Sequence, residues 1–589
     1  TLLNLTINRS AGIFLDGSVT VGGTLYLTLG GLYLQDKTLT INGAISRSSG
    51  MLVGNSQSAL VVGPNASATA LPGVTVGYLT INRAPGITLS GNVTADHELN
   101  LQNGTFTIGP YSLTLNGSLN FITGTLSGGT NAQLLIGGAA SPISIPALTL
   151  STLRLSRAAD LTFNGDMNIS GLLSLLNGNC LLNGHLLILS GTVQYAGGNL
   201  VGSPASEMII TGGGAVVGIN SISLKTLTLS RITGISLLGN LDIQKTFTLQ
   251  IGTVTRNGYQ MYGPTAGLRY QGTLPQTTTD EEFPATGGPF SLEIQNPQGV
   301  TLHASRTIPG NLTLSSGTFT ITGKELTLHG NILYQPNTVL EGGNTANLVL
   351  DTGTVAAQIP AVKLNNLTIN RAAGVMMKGN CTVNGILQLL SGVFNVAGTT
   401  SLTLAGLPVT GATENLVTSP GARLLFVGSN PGFSVPASVE ELAYLYLGNP
   451  EGVMLQNDLV IDSSLTVSGV VDLQEHVVSG MGNFRMLAGS GVITGHPDGV
   501  IGSIMLGGEM EIDGQCDYSF NGATAQLTGF LPTTPANTLR NLVISNTSTA
   551  GVTLDSDMSV TGTLDILPGS TLRIDPSSTL LLENDLTFD

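Results

Sequence analysis

"NLTINRAAG" runs from Asn366 to Gly374, and the chain writes it repeatedly. "NLTINRSAG" spans Asn4 to Gly12 and "YLTINRAPG" spans Tyr78 to Gly86. Looser copies begin at Leu153, Leu227, Leu292, Leu445 and Leu542. The first Leu of each copy (Leu5, Leu79, Leu153, Leu227, Leu292, Leu367, Leu445, Leu542) is separated from the next by 74, 74, 74, 65, 75, 78 and 97 residues. Such regularity identifies a repeat architecture of about eight modules. Within each anchor, apolar residues alternate, as in Leu5-Thr6-Ile7, which is strand grammar. Four residues after the Leu stands Arg9, Arg83, Arg157, Arg231 or Arg371, or else Asn296, Asn449 or Asn546. A turn follows, usually closing on Gly, and a second apolar strand begins.

Upstream, a Pro often precedes the anchor Leu by seven residues, as at Pro72, Pro146, Pro360 and Pro535. Pro cannot donate to a strand ladder, so it belongs at a corner or an edge. Between anchors, short strands are punctuated by Gly and Asn. In the last stretch the strand starts fall at Val552, Met558, Leu564, Leu572, Leu580 and Leu586. Helical spacing of apolar residues is almost absent.

Composition agrees. Of 589 residues only 9% are charged and none is Trp, while Gly numbers 79. That charge content is far below the roughly 25% of ordinary soluble domains. A Thr-, Ser- and Asn-covered surface suits a protein whose main-chain groups pair from coil to coil. Propeller blades lack their Trp signature here, and stacked sandwiches would show linkers. The expected fold is all-β: a right-handed parallel β-helix, or β-solenoid, with three short strands per coil of about 22 residues. It would form one continuous elongated rod over 1–589 with roughly 24–30 coils, about 115–145 Å long at the strand spacing. The least repetitive stretch, 255–290, reads as an irregular insertion or corner loop.

The anchor arginines are expected to brace corners by donating to carbonyls of nearby coils. A net charge of −15 argues against nucleic acid and anionic membranes. No apolar run is long enough to span a bilayer. The three cysteines, Cys180, Cys381 and Cys516, are far apart and signal neither disulfides nor zinc. The six His are scattered, and no catalytic, metal or cofactor motif is found. Acidic clusters occur at Asp280-Glu281-Glu282, Glu440-Glu441 and Asp555-Ser556-Asp557. The first lies beside Tyr259, Tyr262 and Tyr270, a candidate sugar-stacking loop. N-x-S/T triplets at Asn4, Asn92 and Asn311 read mainly as corner Asn followed by strand Thr.

"LTINRAAGVMMKGNCTVNGILQLLSG", from Leu367 to Gly392, resembles repeats of very long secreted β-solenoid adhesins of the Bacteroidota, exported by type IX secretion. Its coil is also similar to the filamentous-haemagglutinin type of β-helix. The resemblance implies a non-enzymatic structural or adhesive segment of an extracellular, cell-surface filament or giant adhesin. Its partners would be surface glycans or further copies of itself, without cofactors or membrane insertion. With no N-terminal signal or C-terminal sorting domain, an internal segment is expected. The alternative is a carbohydrate-binding or carbohydrate-active β-helix.

Overall fold

A computed structural model describes residues 1–138 and 141–584 and the backbone of 586–588. Its strands pair in parallel, and successive coils stack into a β-solenoid of about 29 turns. The coils fall into two compact units: Thr1–Gly272 with Asp280–Pro289, and Thr273–Thr279 with Phe290–Asp589.

Alternation in sequence becomes alternation in burial. In the strand Asn366–Asn370, Leu367 and Ile369 are fully buried, Thr368 is half-buried and Asn370 is exposed. Residues two apart share a face, so this strand adds two aliphatic side chains to columns that run through the stack. Leu348, Leu367 and Leu387 form one such column. The last strands begin at Val552, Met558, Leu564, Leu572, Leu580 and Leu586, each where the sequence places it.

Coils in the first unit are tighter than the sequence repeat suggests. Their hydrogen-bonded ladder steps are short, as in Leu5↔Leu25, Thr69↔Ile87 and Leu39↔Leu60. The module is therefore not a whole number of coils. Leu5 stacks with Leu25 and Ile45. Leu79 belongs to a different ladder, Leu39–Leu60–Leu79–Leu99–Leu119. Leu153 joins a third, Val93–Leu113–Leu134–Leu153–Leu173. Leu227 stacks on Met167, Leu187 and Met208. That face leads back to Leu5 through Leu148, Leu126, Phe106, Ile87, Thr69 and Ile45. The three module intervals from Leu5 to Leu227 thus span eleven coils. Each module advances three and two-thirds coils, and each anchor sits one face away from the last.

In the second unit, Leu292, Leu367 and Leu445 again occupy separate ladders. The long interval before Leu542 spans about four and a third coils, two-thirds of a coil more than the modules of the first unit, and part of its length is enlargement of single coils. The ladder Val453–Val471–Val492–Tyr518–Leu542 starts with short steps and ends with long ones. Individual coils are enlarged, and the longest step, from Val492 to Tyr518, holds the short helix Gly499–Ser503.

The turn after seven of the eight anchors closes on a left-handed glycine, Gly86 at φ 85° among them, while Asp160 after the third keeps an ordinary φ. A second glycine recurs at a fixed place in the coil that follows each anchor Arg. A Cβ on Gly104 would collide with the Arg83 carbonyl oxygen, and the same holds for Gly178 over Arg157, Gly252 over Arg231 and Gly392 over Arg371. Gly104 also has φ 80°, so Gly104→Ala combines strain with a main-chain clash. It should cost about 2–3 kcal/mol, read as a shift in the denaturant midpoint of unfolding.

Candidate functional site: the arginine-braced module junctions

Once per module a coil lengthens and its ladder breaks. Ile45 and Thr69, Leu119 and Ile143, and Val193 and Val217 are successive positions on their faces, each pair 24 residues apart. Among the described residues, the strand Ser118–Phe121 pairs with the coil before it alone, and Ile143–Ile145 with the coil after it alone. Among the described residues, no main-chain donor reaches the carbonyls of Gly137 and Ser141 beside the second gap. Buried main-chain acceptors must be satisfied, and a guanidinium carries five donors in a fixed fork.

Arg157 does this at the second junction. It is 1% exposed. Nε donates to Gly137 O at 2.9 Å, Nη1 to Ser141 O at 3.1 Å, and Nη2 to Leu115 O and Gly117 O at 3.2 and 3.0 Å. Arg83 repeats the pattern on Gly63, Ser67, Ile41 and Gly43, at the same four sequence offsets. Arg231 holds Ala215, Thr211, Ser190 and Gly191, leaving one buried nitrogen, Nη2, without a partner. In the second unit, Arg371 holds the carbonyls of Val355, His329 and Gly330 and the Asn331 side chain. Each guanidinium ties the loop of the long coil to the coil beneath. Burial lowers the pKa of all four arginines, and no carboxylate offsets it. The charge is spread over carbonyl dipoles, and Arg remains a cation because its pKa starts so high. Arg9 is exposed and makes no side-chain hydrogen bond among the described residues.

Where Asn replaces Arg, the reach shortens to one coil. Asn296 donates to Leu274 O and the Gln276 side chain, and Asn546 to Thr524 O and the Gln526 side chain. Asn449 donates to Asn430 O. Each also accepts the N–H two residues on, the local turn that short amides favour.

A second polar device escaped the sequence reading. Thirteen residues after the anchor Leu stands an acceptor that takes an N–H from the next coil: Ser18 from Thr38, Asn92 from Ser112, Asp166 from Leu186, Asn240 from Gln260, Ser305 from Glu325, Asn380 from Ser401 and Asp458 from Val477. Asp557 does the same for Thr579. Ser, Asn and Asp share acceptor chemistry but not a letter, so the pattern shows only once the anchors are aligned. Asn4 and Asn311 likewise accept from Thr24 and Asn331, so these triplet asparagines use their side-chain oxygen to join coils. Asn92→Ala should cost about 1 kcal/mol, like the loss of a helix cap, measured by thermal unfolding.

The Tyr-bearing stretch does not present three rings to solvent. Tyr270 is fully buried, with its hydroxyl on Glu282 Oε1 at 2.7 Å. Tyr262 is half-buried and donates to the Glu282 carbonyl. Burial and the Glu282 charge hold its pKa well above the ordinary tyrosine value. Only Tyr259 is exposed, at 38%. It occupies the module position of Lys37, Tyr111, His185 and Lys324, and shares with Lys37, His185 and Lys324 a bond from its N–H to the carbonyl three residues back. A stacking platform built from all three rings is thus not available. The acidic clusters also serve the stack: Glu281 accepts from Arg256 N, and Asp555 from Thr528 and Gly529 N.

Among the described residues no three His, Cys, Asp or Glu converge as a metal site, and no helix is long and apolar enough to cross a membrane. Comparison with protein-family models, curated proteins and solved structures finds no match.

Proposed function

We propose that the chain is a non-enzymatic structural and adhesive segment of an extracellular bacterial surface filament or giant adhesin. The observation that carries this reading is the brace. Four buried arginines, at equivalent positions of four modules, are committed to holding coil to coil. The polar side chains that repeat with the module serve the stack in the same way. That pattern favours persistence of a long repeat over a single reaction centre, and each coil leans only on its neighbours. The sequence resemblance to secreted solenoid adhesins points the same way.

Immunogold labelling of intact source cells tests it. Gold should decorate thin surface fibres without permeabilisation. Label that appears only after lysis would remove the surface assignment. Substrate turnover by the purified chain would remove the non-enzymatic one.

A further inference from the structure

Three equivalent junctions of the first unit close differently. At the first, the Ile45 N–H donates across the gap to the Thr69 hydroxyl at 3.1 Å, and Arg47 is clamped to Gly50 O at 2.9 Å. At the third, Tyr195 takes the place of Arg47. Burial pushes its pKa up to about 12, and its hydroxyl lies at the Asn220 main chain across the gap. At the second, one module from either, Ile143 stands where Thr69 does and supplies no hydroxyl. Phe121 stands where Arg47 and Tyr195 do and can clamp nothing. The gap stays open as a cleft of about 530 Å³, within the size range of small-ligand sites. Phe121 remains 40% exposed at its mouth.

The lining has a definite chemistry. Phe121 and Pro146 are apolar, Asn164 and Ser144 offer amide and hydroxyl groups, Asn120 offers its amide oxygen, and His97 stands at the rim. The His97 ring packs on Tyr78, 5.3 Å between centroids, and Tyr78 is 47% exposed. Among the described residues no Lys or Arg lines the cleft. The neighbouring carboxylate, Glu98, is engaged by the Asn120 amide at 2.5 Å. A ligand here needs a flat apolar face for Phe121, several hydroxyls for the amides, and no net charge. We infer that the second-junction cleft binds a neutral saccharide, with Phe121 stacking on one sugar ring. This deepens the adhesive part of the function proposed above.

The test uses the whole purified chain and soluble neutral hexaoses of glucose, mannose and N-acetylglucosamine, titrated by calorimetry. Phe121→Ala should weaken the best hexaose about tenfold or more, the usual worth of one aromatic stacking contact. Phe121→Arg with Ile143→Thr copies the closed first junction and should abolish binding. Circular dichroism of both variants should match the parent, which separates loss of the site from loss of the fold. The inference fails if no hexaose binds the parent at millimolar concentration, or if Phe121→Ala binds as the parent does. It also fails if a proline decapeptide occupies the cleft in preference to every sugar. Any of these results leaves the filament assignment, read on intact cells, where it stands.

Discussion

Arg157→Met is expected to open the second junction while leaving distant coils closed. Four main-chain oxygens would lose a charged donor: those of Gly137, Leu115 and Gly117, on buried residues, and that of Ser141, which is exposed. Leu115 O keeps one donor, the Gly137 N–H, so the loss is less than four full bonds. About 3 kcal/mol or more is the expected cost. The three cysteines report where the damage falls. All are fully buried, and burial raises each thiol pKa, that of Cys381 to about 12. Buried thiols of this kind are inert until the structure opens. Cys180 stacks on Leu161, which stacks on Ile143 at the junction. It should therefore become labelled by a thiol reagent at pH 8, while Cys381 and Cys516 stay protected. Arg9→Met, at the exposed anchor, should leave all three rates unchanged. Equal labelling in Arg9→Met and Arg157→Met would show that the carbonyl contacts contribute nothing. Arg157→Lys should fall between, since an ammonium has three donors and cannot span the same fork.

Ile369→Asp should be equally severe in the second unit. Its side chain is fully buried between Leu350 and Leu389 of the adjoining coils. An unpaired carboxylate there costs several kcal/mol, and coil-to-coil locality confines the damage. Cys381, in the nearby strand Cys381–Val383, should be labelled rapidly and proteolysis should begin near residue 369, with Cys180 still protected. Thr368→Asp, half-buried on the outward row beside Val349 and Gln388, should stay within about 1 kcal/mol of the parent. The reverse order of severity would mean that the inward and outward rows have been exchanged.

These two sites also mark what a reader of the sequence can extract. The face of each strand was legible because Leu367-Thr368-Ile369 alternates and a strand has a period of two. Strand starts were legible wherever Gly or Asn punctuates the chain. The number of coils was legible, since roughly 24–30 are expected and about 29 are found, but the fractional module was not, because the letters give its length and not where its coils divide. Tyr262 and Tyr270 stood out as a ligand loop because aromatic residues are rare here. A buried acid, Glu282, accounts for the direction in which Tyr270 points. The cleft beside Phe121 had no letter to announce it. It arises from what Ile143 lacks in comparison with Thr69, a difference that matters only once the two junctions are known to be equivalent.

The fractional repeat has a mechanical consequence. If each module closed on a whole coil, every broken ladder in the first unit would lie on one side, and the stack would have a seam along which it could hinge. Because Leu5, Leu79 and Leu153 stand on three successive faces, the breaks are staggered like the joints in brickwork, roughly 18 Å apart along the axis. Bending toward any side then meets two continuous sheets for every one that is interrupted. The first unit should therefore resist bending alike in all directions, with no preferred plane of weakness.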